Sequence, residues 1–168
     1  MKRIMMLSLV LAAALSLGSC RRAVERAAEK IRLEEIEQVE RQGLTGAEVV
    51  VRIANGTAHR LVLDDARVDV FYAGSRAVAA TLREGVEVDS RTTQSVRTSW
   101  RLAISDPLAL FALARKVAAG DISQVAVSVT AEGRGGPVPV NISREMVPLS
   151  EFLNTFGVTL EDVKNYLR

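Results

Sequence analysis

The chain has 168 residues, with 22 lysines and arginines against 20 aspartates and glutamates, 4% aromatic residues and a single cysteine. This small basic excess gives little electrostatic reason to expect a nucleic-acid partner, and so few aromatic residues give little surface for stacking sugars or bases. One cysteine excludes an internal disulfide and a thiolate metal site, so the stability of a folded domain must come from its core.

The first twenty residues have the pattern of a bacterial lipoprotein export signal. The basic segment Met1-Lys2-Arg3 precedes an apolar run that closes on Leu17-Gly18-Ser19-Cys20. The run is too short to cross a bilayer of about 30 Å comfortably as a mature helix. We therefore predict a signal peptide over residues 1–19 and lipidation of the Cys20 thiol. Membrane lipid is then one partner, and the expected location is the bacterial cell envelope, at the outer membrane facing the periplasm.

Removal of the signal changes the charge of the protein. Loss of Lys2 and Arg3 leaves 20 basic and 20 acidic residues, so the mature chain is formally neutral. This balance again argues against nucleic acid as a partner. The residues that remain are enough for one domain with a substantial core. We predict a membrane-proximal spacer over 20–30, a β-domain over 31–149 and a helical tail over 150–168 that packs on the domain.

Most of the mature chain alternates apolar and polar residues with the period of β-strands. Residues 31–42 suit either a strand or a helix, and we favour a strand. Pro137 and Pro139 predict that the last strand lies at a sheet edge. The clearest run is 96–104, in which these side chains are expected to face inward: Val96, Thr98, Trp100, Leu102 and Ile104.

One helix with complete terminal signals interrupts the strands at about 106–119. Asp106 suits the N-cap, Pro107 the first helical position and Gly120 the residue beyond the end. The helix is expected to pack on a sheet, or to cap one end of it, through the following residues: Leu110, Leu113, Ala114 and Val117.

The tail is expected to form one or two short helices, with Ser150 and Thr159 as N-caps. Its predicted docking residues are Phe152, Leu153, Phe156, Val163 and Leu167.

Many short antiparallel strands with one covering helix are typical of a β-sandwich, in which each sheet buries one face against the other. We therefore predict a mostly β fold, an antiparallel immunoglobulin/fibronectin-like β-sandwich with short C-terminal helices. The chain lacks the paired cysteines of a true immunoglobulin domain.

The residues that could carry chemistry do not form a recognisable catalytic, cofactor-binding or metal site. His59 is the only histidine and is expected to be a solvated turn residue. Asp64 and Asp65 with Asp69 could offer oxygens to calcium, but their spacing lacks the glycine and terminal glutamate of an EF-hand. Gly133-Arg134-Gly135-Gly136 precedes a strand instead of the helix that a phosphate loop needs, so we expect a hairpin turn there. The sequence predicts no enzyme activity and no cofactor.

Three segments resemble the group 2 late embryogenesis abundant (LEA type 2) family and its WHy domain. They are the run Gly46-Ala47-Glu48-Val49-Val50-Val51-Arg52-Ile53-Ala54-Asn55, and Leu61 to Tyr72 with Gly74 and the later Trp100-Arg101-Leu102. Where the family has Asn-Pro-Asn or a similar turn, this chain has Asn55-Gly56-Thr57. The resemblance implies a sandwich with helical elements and a noncatalytic protein of stress protection or macromolecular interaction. Bacterial relatives are often exported lipoproteins, in agreement with Cys20.

Two classes of function remain open. One is a noncatalytic envelope module that acts through its surface on proteins, lipids or partly unfolded chains under stress. The other is a subunit of an envelope protein assembly, which docks through the edge strand at 138–142 or through the C-terminal tail, by strand addition or helix packing.

Overall fold

The computed structural model describes residues 26, 29–155, 159–161 and 164. The predicted signal peptide and Cys20 lie outside the described residues, as do Phe156, Val163 and Leu167. No helix in the described part of the chain is long and apolar enough to cross a membrane. Eight strands and two helices have these bounds: β1 Ile31–Gln42, β2 Gly46–Asn55, β3 Leu61–Tyr72, β4 Ser75–Leu82, β5 Val86–Val88, β6 Thr92–Ile104, α1 Pro107–Ala118, β7 Val125–Gly135, β8 Val138–Pro148 and α2 Leu149–Thr155.

The eight strands form one antiparallel sheet in the order β1-β2-β6-β4-β3-β7-β8, with β5 paired to the beginning of β3. Strand β6 joins two halves of this sheet. It pairs with β2 over residues 92–101 but with β4 only over residues 100–104. Because the two neighbours of β6 overlap only near its end, the halves β1-β2-β6 and β4-β3-β7-β8 are hydrogen-bonded to each other at one end. The predicted mostly β, sandwich-like antiparallel fold is confirmed, and so is the strand at 31–42.

The core has two parts. Buried residues along the strands of both halves form the first: Ala66, Ala79, Leu82, Val88, Val96 and Val127. The second lies where α1 covers the ends of β3, β4 and β7, and consists of Ala77, Ala109, Leu113, Val117 and Val125. Leu149 and Leu160 pack against this second part, which brings the tail onto the domain. The expectation that α1 covers one end of the sheet is thereby confirmed.

Helix α1 begins and ends at its predicted signals. The Asp106 carboxylate accepts hydrogen bonds from the backbone N–H of Leu108 at 2.9 Å and of Ala109 at 3.1 Å, which makes it the N-cap. Gly120 follows the C-cap with a φ of +81°. The prediction that Ala114 packs on the sheet is wrong, because Ala114 is exposed. The buried residues of the helix are spaced four apart and do not include it: Ala109, Leu113 and Val117.

The glycine-rich segment differs from the predicted turn. Gly133, Arg134 and Gly135 belong to β7, and only Gly136 and Pro137 connect β7 to β8. At Gly133 an added Cβ would lie 2.2 Å from the Val62 carbonyl oxygen. The glycine therefore permits a close backbone approach beside a bulge in β3, instead of supplying a flexible loop.

Two further expectations are wrong. Ile104 is 56% exposed and does not continue the inward face of β6. Ser150 lies within α2, which begins one residue earlier, and so it is not the N-cap.

Candidate functional site

The turn after β2 is held by the side chain of Asn55, which is only 1% exposed. Its amide nitrogen donates to the carbonyl oxygens of His59 and Asp89, both at 2.9 Å, and of Val88 at 3.3 Å. Its amide oxygen accepts from the backbone N–H and the hydroxyl of Thr57, at 3.0 and 2.7 Å. The polar groups of Asn55 are thus used to join this turn to the loop after β5.

His59 lies at the exposed end of the same turn. Its ring lies against the backbone of Gly136, where an added Cβ would be 2.8 Å from Nδ1. Gly136 also has a φ of +62°, and its N–H donates to the carbonyl oxygen of Arg60 at 3.1 Å. The glycine therefore lets the turn after β2 and the turn after β7 lie side by side.

The three aspartates considered as calcium ligands are not brought together as a site. Asp69 accepts two hydrogen bonds of 2.9 Å from the guanidinium of Arg67, and these raise the pKa of Arg67. Asp64 lies 3.9 Å from Arg134, and Asp65 is exposed beside the bulge of β3. Among the described residues no group of three histidine, cysteine or carboxylate side chains is placed to hold a metal ion.

Trp100 is half-buried on the inner face of β6 and takes part in a short chain of hydrogen bonds. Its indole N–H donates to the Thr98 hydroxyl at 2.8 Å, and that hydroxyl donates to the Val49 carbonyl oxygen at 2.9 Å. The buried hydroxyl and the indole nitrogen are both satisfied inside the protein. These contacts give Trp100 a structural role between β6 and β2.

A groove of about 510 Å³ opens near the start of β1. Its lining combines charged residues of both signs with small and polar residues: Glu29, Lys30, Arg32, Glu34, Ala54, Asn55, Gly56, Arg91, Thr92 and Thr93. The charged lining residues are two glutamates and three basic residues, so the groove presents no single charge to a ligand.

The two edge strands of the described sheet differ in composition. Six of the twelve residues of β1 are charged. Glu37 on β1 pairs with Arg52 of β2, and its pKa is lowered chiefly by a hydrogen bond with Ser95. Charges of this kind protect a sheet edge from pairing with other chains.

Strand β8, at the other edge, is mostly exposed along its length and has only two charged residues, Arg144 and Glu145. Three of its apolar side chains are about half exposed: Val138 at 46%, Ile142 at 49% and Met146 at 48%. The prediction that this strand lies at an edge is confirmed.

The outward backbone groups of β8 can be assigned from its proline. Pro139 has no N–H to donate, so it occupies a position whose nitrogen faces away from β7. Asn141 and Ser143 follow Pro139 at two-residue intervals, and no register shift separates them from it. Their backbone groups therefore face the same side of β8 as those of Pro139. Their N–H and C=O groups therefore point outward along the free side of β8. Beyond them, a bulge at Glu145 and Met146 ends the regular edge; Met146 has a φ of +51° and its N–H donates to Ser128 at 3.0 Å.

The structure also shows an apolar surface that the sequence reasoning missed. Leu108 is 82% exposed and Phe111 64% exposed on the outer face of α1. The signal was present in the sequence, because the helix is apolar around most of its circumference while one side of it must face water.

Comparison with known proteins gives little further information. No family model matches the chain, and no curated protein matches it at a significant level. Among solved structures, the chain is similar to a crystal structure of a protein from Archaeoglobus fulgidus. The two share 15% sequence identity with a TM-score of 0.45, over 67% of this chain and 90% of the other. A likeness of this size carries no information about function.

Proposed function

We propose that this chain is a noncatalytic lipoprotein of the bacterial cell envelope, held in a membrane through an acylated Cys20. Its LEA type 2-like module acts by binding other macromolecules with its surface, in stress protection. The run Leu17-Gly18-Ser19-Cys20 supports the anchor. The resemblance of the segment from Gly46 to Asn55 to the WHy domain supports the role.

The observation that carries the proposal is the contrast between the two sheet edges. Strand β1 is protected by charges, whereas β8 combines outward backbone groups with exposed Val138 and Ile142. An extended segment of another protein could add to β8 as a further strand. Its backbone would hydrogen-bond to Asn141 and Ser143, and its side chains would contact the apolar residues of β8. Partly unfolded proteins expose extended apolar segments of this kind under stress.

The contacts of the turn that carries His59, the single candidate imidazole, support the same proposal. Asn55 and Thr57 are occupied by hydrogen bonds that hold the turn, and His59 lies beside Gly136 at its exposed end. We expect a His59→Ala variant to retain the function of the wild type.

The test is complementation of a deletion strain under osmotic stress or dehydration. Asn141→Pro removes one outward N–H from β8 and should abolish complementation. Asn141→Ala is the matched control, since it removes the same side chain but keeps the N–H, and it should behave like the wild type. Full complementation by an Asn141→Pro variant that folds and localises normally would refute binding through this edge.

A second candidate is a structural subunit of an envelope protein assembly. Leu153 is buried, and Leu160 packs against the part of the core that α1 covers. These two tail residues are therefore already in contact with the domain and are not free to bind a partner. The β8 edge is therefore a better docking element than these parts of the tail. A stoichiometric partner that co-purifies from detergent would favour the assembly. Its absence, together with impaired osmotic survival of the deletion strain, would favour protection.

A further inference from the structure

Helix α1 is apolar on two opposite sides. Its inner side buries Ala109, Leu113 and Val117 against the domain. Its outer side presents Leu108 and Phe111, which lie three residues apart and so share one face of the helix. Two large apolar side chains exposed together on one helical turn suggest that this face meets something other than water.

The charge beside this apolar pair is positive. The helix contains no acidic residue. The Arg115 guanidinium lies 6.0 Å from the centroid of the Phe111 ring, and no carboxylate among the described residues forms an ion pair with it. The neighbouring Lys116 is paired with Asp121 at 2.8 Å.

Other charges near the ends of the helix are engaged locally. At the N-terminal end, Arg76 donates to the Ser105 hydroxyl at 3.2 Å and lies 3.8 Å from Asp69, while the Asp106 carboxylate caps the helix. The unneutralised charge next to the apolar pair is therefore that of Arg115. Helices that bind an anionic lipid surface have an apolar face with cationic side chains beside it, as α1 does.

The position of the predicted anchor allows α1 to reach such a surface. Ten residues separate Cys20 from β1, and even fully extended they span about 35 Å. Ile31 pairs with Asn55, which pairs with Thr92 at the start of β6, so the tether enters at that end of the sheet. Helix α1 follows the other end of β6, about 40 Å away along the strand. When the axis of β6 lies parallel to the membrane, both ends of the domain are at the membrane surface. The linker is long enough to pass across the two layers of the domain, from β1 to the membrane.

We propose that α1 is a second membrane contact, with Leu108 and Phe111 inserted among the lipids to which Cys20 is attached and Arg115 at their headgroups. This inference rests on the lipid anchor of the proposed function. The tether and the length of β6 confine the helix to within about 75 Å of the bilayer, which gives it a high effective concentration there. A contact too weak to recruit a free domain is therefore sufficient to orient an attached one.

The test uses the full lipidated chain in vesicles of phosphatidylethanolamine and phosphatidylglycerol that carry brominated acyl chains. Phe111→Trp and Leu108→Trp place a fluorophore on the outer face of α1. Ile142→Trp is the control, because Ile142 is a 49% exposed apolar residue that lies on β8 and not on α1. The emission of Trp100 is subtracted using the wild type, and thermal unfolding checks that each variant is folded. Vesicle flotation reports attachment independently.

We expect bromine to quench both helix variants strongly and the Ile142→Trp variant weakly. If the protein floats with the vesicles but Phe111→Trp is quenched no more than Ile142→Trp, the helix contact is refuted and the lipid anchor stands. A blue-shifted but unquenched Phe111→Trp emission would show the face covered by a second copy or by the chain's own tail, and would also refute the contact. Failure to float would overturn both the contact and the anchor.

Discussion

At the scale of single residues, Asn55 is the side chain whose loss should disturb the fold most directly. It is almost completely buried and joins two loops through five hydrogen bonds. Asn55→Ala removes all five hydrogen bonds from a buried position and leaves the Thr57 hydroxyl bonded only to His59 and the Asp89 carbonyl oxygen only to Thr92. It should lower the free energy of unfolding by about 3 kcal/mol. Asn141→Ala, at an exposed position on β8, should change it by less than about 0.5 kcal/mol. Urea unfolding measures both, and equal effects would contradict the assigned role of Asn55.

Two glycines of β7 provide a second comparison at this scale. A Cβ at Gly133 would lie 2.2 Å from the Val62 carbonyl oxygen, whereas a Cβ at Gly135 would lie 3.5 Å from a methyl group of Leu61. Gly133→Ala should therefore destabilise the protein by about 1–3 kcal/mol, because the backbone of β3 must move. Gly135→Ala should be neutral or stabilise it by up to about 0.5 kcal/mol, since alanine restricts the unfolded chain. Thermal unfolding of the two variants tests this. If Gly133→Ala is as stable as Gly135→Ala, the close approach of Val62 to Gly133 is incorrect.

At the scale of elements, β6 is the strand on which the two halves of the sheet depend. Its inner side carries Val96, Thr98 and Trp100, and its outer side carries Arg101. Trp100→Ala removes a half-buried ring and its hydrogen bond to Thr98, and should cost about 3 kcal/mol, the lower end for a large aromatic residue. Arg101→Ala should cost less than about 0.5 kcal/mol. Denaturant unfolding of the two variants tests the register of β6, and similar losses on both faces would contradict it.

The two elements offered for binding differ in how far the sequence predicted them. The edge position of β8 followed from Pro137 and Pro139, because a proline cannot take part in the ladder of a central strand. The exposed face of α1 was not predicted. Helical spacing identified Leu113 and Val117 as packing residues, but Leu108 and Phe111 are equally apolar. Only the placement of the helix on the domain showed which side remains in contact with solvent.

At the scale of the whole molecule, the proposed anchor should determine where the protein is found. Each buried methylene of an acyl chain contributes about 0.8 kcal/mol, and two or more chains give stable attachment. Cys20→Ser should therefore move the protein from the membrane fraction to unprocessed precursor or soluble material. Fractionation and mass spectrometry check this. A wild-type protein whose N-terminus is still Met1, or a mature Cys20 without lipid, would show that the chain is not a lipoprotein.

The local elements of this protein follow from short stretches of its sequence. Alternation predicted most strands and a mostly β fold, and Asp106, Pro107 and Gly120 fixed the helix, because these signals depend on a few neighbouring residues. Features that depend on contacts between distant segments became visible only in the folded structure. It placed Gly133 in a strand beside the Val62 carbonyl group, and it brought Asn55 to Val88 and Asp89, which follow it by 33 and 34 residues. It also left Ile104, Leu108 and Phe111 exposed. Hydrophobicity shows that a side chain can be buried, but only packing shows whether another element covers it.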